Sequence, residues 1–205
     1  MNGIGGIGKT TLAKWFARNH LIQYNHVCWI EVTKQDSTAR GKLVAGSLRE
    51  AMANNALLFS NLGLIYDPKE VSTDQRFELV TNALRNLPGR DLLVLDNAGG
   101  DAGDKVVRDQ LPQPPNWQVL ITSRQSLNGY KVLALGTLNP LDAQSLFFQY
   151  YTFVCSVQEV TNLLEAIDYH TLTIELFAKT LEAHYGVLSV GDLLRRVQER
   201  RLNDP

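Results

Sequence analysis

Apolar positions follow two rhythms along this chain, and the change between them divides it near residue 139. In the first part, helical periods alternate with short continuous apolar runs. Thr10–His20 predicts a helix of about three turns, with Leu12, Ala13, Phe16 and Ala17 on one face. His26–Val32, rich in β-branched and aromatic residues, predicts a strand. Asp36 and Ser37 predict the cap of a helix running toward Leu62, and Ser72-x-x-Gln75 a capping box for a helix that Pro88-Gly89 stops. Three apolar runs follow, Leu92–Leu95, Trp117–Ile121 and Lys131–Leu135. Runs of that kind suit strands covered on both faces. Their alternation with helices predicts an α/β class with a parallel sheet.

Beyond Asn139-Pro140 the pattern is helical throughout, with segments at about 141–151, 157–167, 171–185 and 190–200. Ser156-x-x-Glu159 and Ser189-x-x-Asp192 mark helix starts, and Gly186 sits where a helix ends. The expected organisation is a sheet domain over 1–138 and a small four-helix unit over 139–205. The cluster Phe147, Phe148, Tyr150, Tyr151 and Phe153 reads as core of that unit.

Composition narrows the functional classes. The 205 residues are 44% hydrophobic and 20% charged, with a net charge of -1. Such a chain buries a core, and its charge exerts no general pull toward nucleic acid or an anionic membrane. Cys28 and Cys155 lie far apart and match no metal spacing, and the four histidines form no ligand motif. No stretch has the length of a membrane span, and no basic-then-apolar leader is present. The expectation is a cytoplasmic protein with reduced thiols. Asp101 and Asp104 do not fit a calcium loop; Asp104 reads as a helix cap and Asp101 as a solvated loop charge. The arginines near 195–201 read as a solvated helix face.

The chemistry begins at Gly3-x-x-x-x-Gly8-Lys9-Thr10, a phosphate-binding loop. Gly3, Gly5, Gly6 and Gly8, with Ile7 between, free the backbone to turn amides inward around phosphate oxygens. Lys9 brings positive charge to the β- and γ-phosphates. Thr10 offers a hydroxyl to Mg²⁺, and Thr11 a donor to the α-phosphate. The helix that follows adds its positive end. A metal held beside such a loop needs a rigid oxygen ligand, and Asp96 at the end of Leu92–Leu95 has that form. Asp91, before the run, reads as a solvated charge. Arg124, just past Trp117–Ile121, is placed to distinguish three phosphates from two. The predicted catalytic set is Lys9, Asp96 and Arg124, and the predicted metal ligands are Thr10 and Asp96.

Together these stretches resemble the NB-ARC domain of the STAND class of P-loop NTPases, found in plant resistance, animal apoptosome and bacterial defence or signalling proteins. GIGGIGKTTLA resembles that family's phosphate loop, VCWIEVT its second strand, DLLVLDN its Walker B strand and WQVLITSR its sensor strand. LGTLNPLDAQSLF resembles the connection to the helical subdomain. YHTLTIELFAKTLE resembles the bacterial branch.

The resemblance implies a three-layer sheet of order 5-1-4-3-2 in the family's own count. It also implies a switch in which ADP holds a closed monomer, and exchange for ATP opens it to self-associate and activate a fused effector. It brings His170 and Thr171 into the nucleotide site, in the place of the family's Gly-x-Pro motif. Asn97 stands where many relatives carry a second acid. A neutral amide is no strong base, so slow Mg-dependent hydrolysis with intact ADP or ATP binding is expected. Only Met1 and Asn2 remain of the family's first strand, where a buried strand takes about five or six residues. This points to a fragment whose effector and sensor regions lie outside the sequence. One competing reading is a nucleotide-free remnant that acts only by docking onto relatives; another, an ordinary P-loop enzyme such as a small-molecule kinase, is disfavoured by the four-helix part and the lack of a lid segment with clustered arginines.

Overall fold

A computed structural model describes residues 1–32, 35–37, 42–44, 47–67 and 69–203. The chain forms two compact units. The first holds Met1–Gly3 and Lys9–Ala134, and the second Ile4–Gly8 and Leu135–Pro205.

The first unit is built on a parallel sheet of β1 (Val27–Glu31), β4 (Asp91–Asp96) and β5 (Trp117–Ile121), with β4 central. Val27 stands opposite Leu92 and Glu31 opposite Asp96, while Asp91 stands opposite Trp117 and Leu95 opposite Ile121. Every residue of β4 is buried. Because side chains alternate across a strand, its apolar run serves two cores. Leu92 and Val94 meet Ala13 and Ala17 of α1 (Lys9–Asn19) together with Tyr24. Leu93 and Leu95 join Ile30, Val32 and residues of α2 (Leu48–Ala53), α3 (Ala56–Asn61), α4 (Thr73–Arg85) and α5 (Lys105–Gln110). This two-sided burial is why β4 reads as a continuous apolar run rather than an alternating one. Trp117, 1% exposed, fills the second core and donates its Nε1–H to the Leu84 carbonyl at 3.1 Å.

Most predicted helix starts carry the expected bonds. At α4, the Gln75 amide donates to Ser72 Oγ at 3.3 Å and the Ser72 amide donates to Gln75 Oε1 at 2.9 Å. Asp104 Oδ1 accepts from the Val106 amide at 2.7 Å and starts α5. On α1, Ala13 and Ala17 are buried, but Leu12 is 37% exposed and belongs to the outer face.

Four sequence expectations are corrected. Where a helix is predicted from Asp36 and Ser37, the described residues form an antiparallel pair of β2 (Gln35–Ser37) and β3 (Lys42–Val44), residues 38–41 and 45–46 lie outside the described ones, and a helix starts at Leu48 with Ser47 as cap. The run Lys131–Leu135 is not a strand; it contributes Ala134 to a single parallel bridge with Asn2, which also bridges Ser123. Asp101 is no free loop charge, because its Oδ2 accepts from the Leu48 amide at 2.6 Å and from Ser47 Oγ at 2.9 Å. Asp91 is 0% exposed, and its Oδ1 accepts from the His26 amide at 3.0 Å and lies 2.9 Å from His26 Nδ1.

The second unit contains α6 (Pro140–Tyr150), α7 (Val157–Ala166), α8 (Thr171–Ala183) and α9 (Val190–Asn203). Asn139 caps α6, Ser156 caps α7, and Ser189 exchanges bonds with Asp192 at the start of α9. The core gathers Ala143, Phe147, Val160, Leu163, Ile174, Ala178 and Leu181, none with measurable exposure. Phe147 and Tyr151 lie inside, whereas Phe148 and Phe153 are 39% and 37% exposed, so the aromatic cluster is only partly core. Phe153 stacks on Tyr185 at 3.6 Å between ring centres.

Candidate functional site

In the first unit, Lys9 and Thr10 open α1, whose packing through Ala13 and Ala17 fixes them relative to β4. Asp96 ends β4, 4% exposed, and its Oδ1 accepts two hydroxyl hydrogen bonds. Thr10 Oγ1 donates at 2.8 Å and Thr122 Oγ1 at 2.5 Å. A buried carboxylate needs such partners, and two hydroxyls supply them without neutralising its charge. Hydroxyl and carboxylate oxygens are the ligands a hard divalent cation prefers, so Thr10 and Asp96 fit Mg²⁺. Among the described residues no cluster of three or more His, Cys, Asp or Glu is found.

Lys9 Nζ donates to the Gly3 carbonyl at 2.7 Å, folding the lysine back along the loop. Its pKa lies below the ordinary 10.5, chiefly through burial and then through the Arg124 guanidinium, with Asp96 pulling the other way. Arg124 is exposed and Thr11 is exposed at the second position of α1 after the lysine. Thus Lys9, Thr10, Asp96 and Arg124 share one neighbourhood of the first unit.

Thr122 is a member of this neighbourhood that sequence reasoning missed. Besides its bond to Asp96, Thr122 Oγ1 accepts from the Asn97 amide at 2.8 Å. The signal was available in the stretch Ile121-Thr122-Ser123, where a polar pair ends an apolar strand. Asn97 itself has φ +58, a conformation an asparagine tolerates, and its Nδ2–H donates to the Val32 carbonyl at 3.0 Å. Its amide is therefore used as a fastener between strand ends.

In the second unit, loop residues Gly5, Gly6 and Ile7 meet the first turn of α8. His170 Nε2 lies 2.8 Å from the Gly5 carbonyl, the Leu172 amide donates to the Gly6 carbonyl at 3.1 Å, and Thr171 Oγ1 donates to the Ile7 carbonyl at 3.5 Å. His170 Nδ1 accepts from the Thr173 amide at 3.4 Å, capping α8. Asp168 and Tyr169 just before it both have positive φ, +51 and +54. Gly6 has φ +73, and a Cβ there would lie 2.8 Å from Leu172 Cβ and 2.9 Å from His170 Cε1, so only glycine fits. Gly8, at φ +98, has open space around its missing side chain; there glycine answers to backbone conformation alone.

An NB-ARC domain family model matches residues 1–132, well over half of the chain. The chain belongs to the NB-ARC family. Among solved structures, this NB-ARC chain is similar to the Walker-type ATPase PABY2304 of Pyrococcus abyssi, with 14% identity and a TM-score of 0.54. That likeness covers 98% of this chain and 66% of the other, so the chain spans slightly less than two thirds of that structure's length. It shows the fold, that of a P-loop NTPase. No curated protein matches the sequence. With family and fold together, this is a nucleotide-binding P-loop NTPase domain.

Other features of the NB-ARC chain bear on chemistry less. Burial pushes the Cys28 thiol up to about 12, so it stays protonated and is a poor nucleophile at neutral pH. Both cysteines are free. A cavity of about 470 Å³ lies beside β1 and is lined by residues that include His26, Cys28, Leu58 and Trp117; none of the predicted site residues line it. Among the described residues no helix is long and apolar enough to cross a membrane.

Proposed function

We propose that this domain is an ADP/ATP-binding molecular switch of a STAND signalling or defence protein, with slow Mg-dependent hydrolysis. The observation that carries this reading is the bond from Thr10 to Asp96 at 2.8 Å. It joins the first residues after the glycine loop to the end of the central strand, the pairing a Mg·nucleotide site requires. Lys9, Thr10 and Thr11 serve the phosphates, while Gly3, Gly5, Gly6, Ile7 and Gly8 supply the loop backbone. Thr10 and Asp96 would hold the magnesium, which would supply positive charge against that of the phosphates. Arg124, near enough to Lys9 to depress its pKa, is the candidate reader of the third phosphate.

The energetics suit a switch. Moving a domain from mostly closed to mostly open takes about 5.5 kcal/mol of differential binding. Two or three charge-assisted hydrogen bonds at roughly 1.5–3 kcal/mol each supply it. Hydrolysis is slow in this reading because Asn97, held to Val32, offers no base for the attacking water. Self-association in a longer protein and a cytoplasmic setting complete the proposal.

Calorimetry with Mg·ADP on the wild-type chain and the Lys9→Ala variant tests it. Uptake by wild type that the variant loses is expected. A folded wild-type chain that takes up neither ADP nor ATP overturns the switch and leaves the docking remnant in its place.

A further inference from the structure

We infer that the first turn of α8 is a strut that sets the phosphate loop for anion binding, with His170 as its positioning residue. The inference rests on the nucleotide reading above. Three consecutive loop carbonyls, of Gly5, Gly6 and Ile7, accept hydrogen bonds from three consecutive residues, His170, Leu172 and Thr171 in that pairing. A peptide unit is planar and trans, so its N–H points opposite to its C=O. Tying those three carbonyls toward α8 therefore turns the amides of Gly6, Ile7 and Gly8 away from it, onto a common side. The φ values of Gly6 and Gly8, +73 and +98, are those of a backbone nest, whose successive amides converge on an anion. Donation into a carbonyl also polarises its peptide unit and strengthens the N–H at the other end.

The chemistry of His170 fixes its role. A carbonyl only accepts, so the proton resides on Nε2, and Nδ1 is left to accept from the Thr173 amide and hydroxyl. The ring thus caps its own helix with one nitrogen and holds the loop with the other. Both ring nitrogens are thereby engaged, which leaves neither for a hydrogen bond to the nucleotide base. Gly6 lies so close to Leu172 and His170 that the loop cannot carry a side chain at this contact.

His170→Asn and His170→Gln separate the two tasks. Asparagine is a favoured helix cap but is too short to reach Gly5; glutamine keeps a donor at similar reach. Expected for His170→Asn is about a tenfold loss of Mg·ADP affinity, with faster amide exchange at Gly6–Gly8 and an unchanged urea midpoint. His170→Gln is expected to stay within about threefold of wild type. The ¹⁵N imidazole spectrum of the ligand-free wild type should show the Nε2–H form. The strut is overturned alone if wild type binds Mg·ADP but His170→Asn matches it in affinity and loop exchange, or if the ring carries its proton on Nδ1. No uptake by wild type overturns the nucleotide reading itself, and the strut's purpose with it.

Discussion

Strand β4 carries an aspartate at each end, Asp91 at 0% exposure and Asp96 at 4%, and the surroundings of the two differ. Asp91 Oδ1 is met by the His26 amide and ring at the end where the strands begin. Asp96 is met by two hydroxyls, from Thr10 and Thr122, at the end where the strands finish. The His26 amide is fixed by the fold and clamps β1 to β4, whereas the Thr10 and Thr122 hydroxyls rotate and are oxygen ligands of the kind a hard cation takes. In open parallel sheets, ligands gather outside the carboxyl ends of the strands. The same residue type therefore ties β1 to β4 at one end and, at the other, holds two hydroxyls beside the proposed cation site.

The largest expected effect tests the working end as a whole. Lys9→Ala should weaken Mg·ADP binding at least about 100-fold, about 2.7 kcal/mol, with an unchanged urea midpoint. Next, Asp91→Ala should cost about 1.5–3 kcal/mol of stability, because it removes the buried charged acceptor that the His26 amide and ring share. Urea unfolding reads this, and affinity in the folded protein should hold. Asp96→Ala should do the reverse, removing the Mg²⁺ dependence of ATP affinity, about tenfold or 1.4 kcal/mol, while stability changes less than in Asp91→Ala. If Asp91→Ala abolishes binding at full stability, the division between the two ends is wrong.

A smaller effect lies in pH. Lys9 is depressed below 10.5, first by burial and then by Arg124, and a diphosphate bound as proposed would raise it again. Affinity should be flat while Lys9 is protonated in both states. It should then fall as pH rises through the depressed free-state value, since binding must take up a proton there. Titration calorimetry in buffers of different ionisation heat would show that proton uptake. The smallest effect is expected at Asn97: Asn97→Ala should leave ADP affinity within about threefold, and turnover as slow as in wild type, by a phosphate-release assay.

Some of this was legible in the residues. Glycine spacing and the Lys-Thr pair named the loop, the apolar run named the central strand, and Asp96 followed from both. Helix starts at Ser72, Asp104, Asn139, Ser156 and Ser189 were legible because a cap is a local bond between residues three apart. Asp91 was misread because its partner, His26, is 65 positions away. The strand pair β2–β3 was misread because Asp36 and Ser37 are weak strand formers and favoured helix caps, a local preference that pairing with Lys42 and Leu43 overrides. Lys131–Leu135 has a strand's composition, but a ladder needs a run of paired neighbours, and among the described residues Asn2 alone bridges it.

What the sequence determined by itself is the inventory: a phosphate loop, a buried acid at a strand end, an α/β order and a helical second part. These depend on spacing and periodicity, which are local. Only the tertiary structure decided which acid is a clamp, that Thr122 shares the carboxylate with Thr10, and that His170 holds loop carbonyls. Those outcomes join residues 26 to 165 positions apart, and at such distances the chain's own stereochemistry sets no geometry until a core has formed.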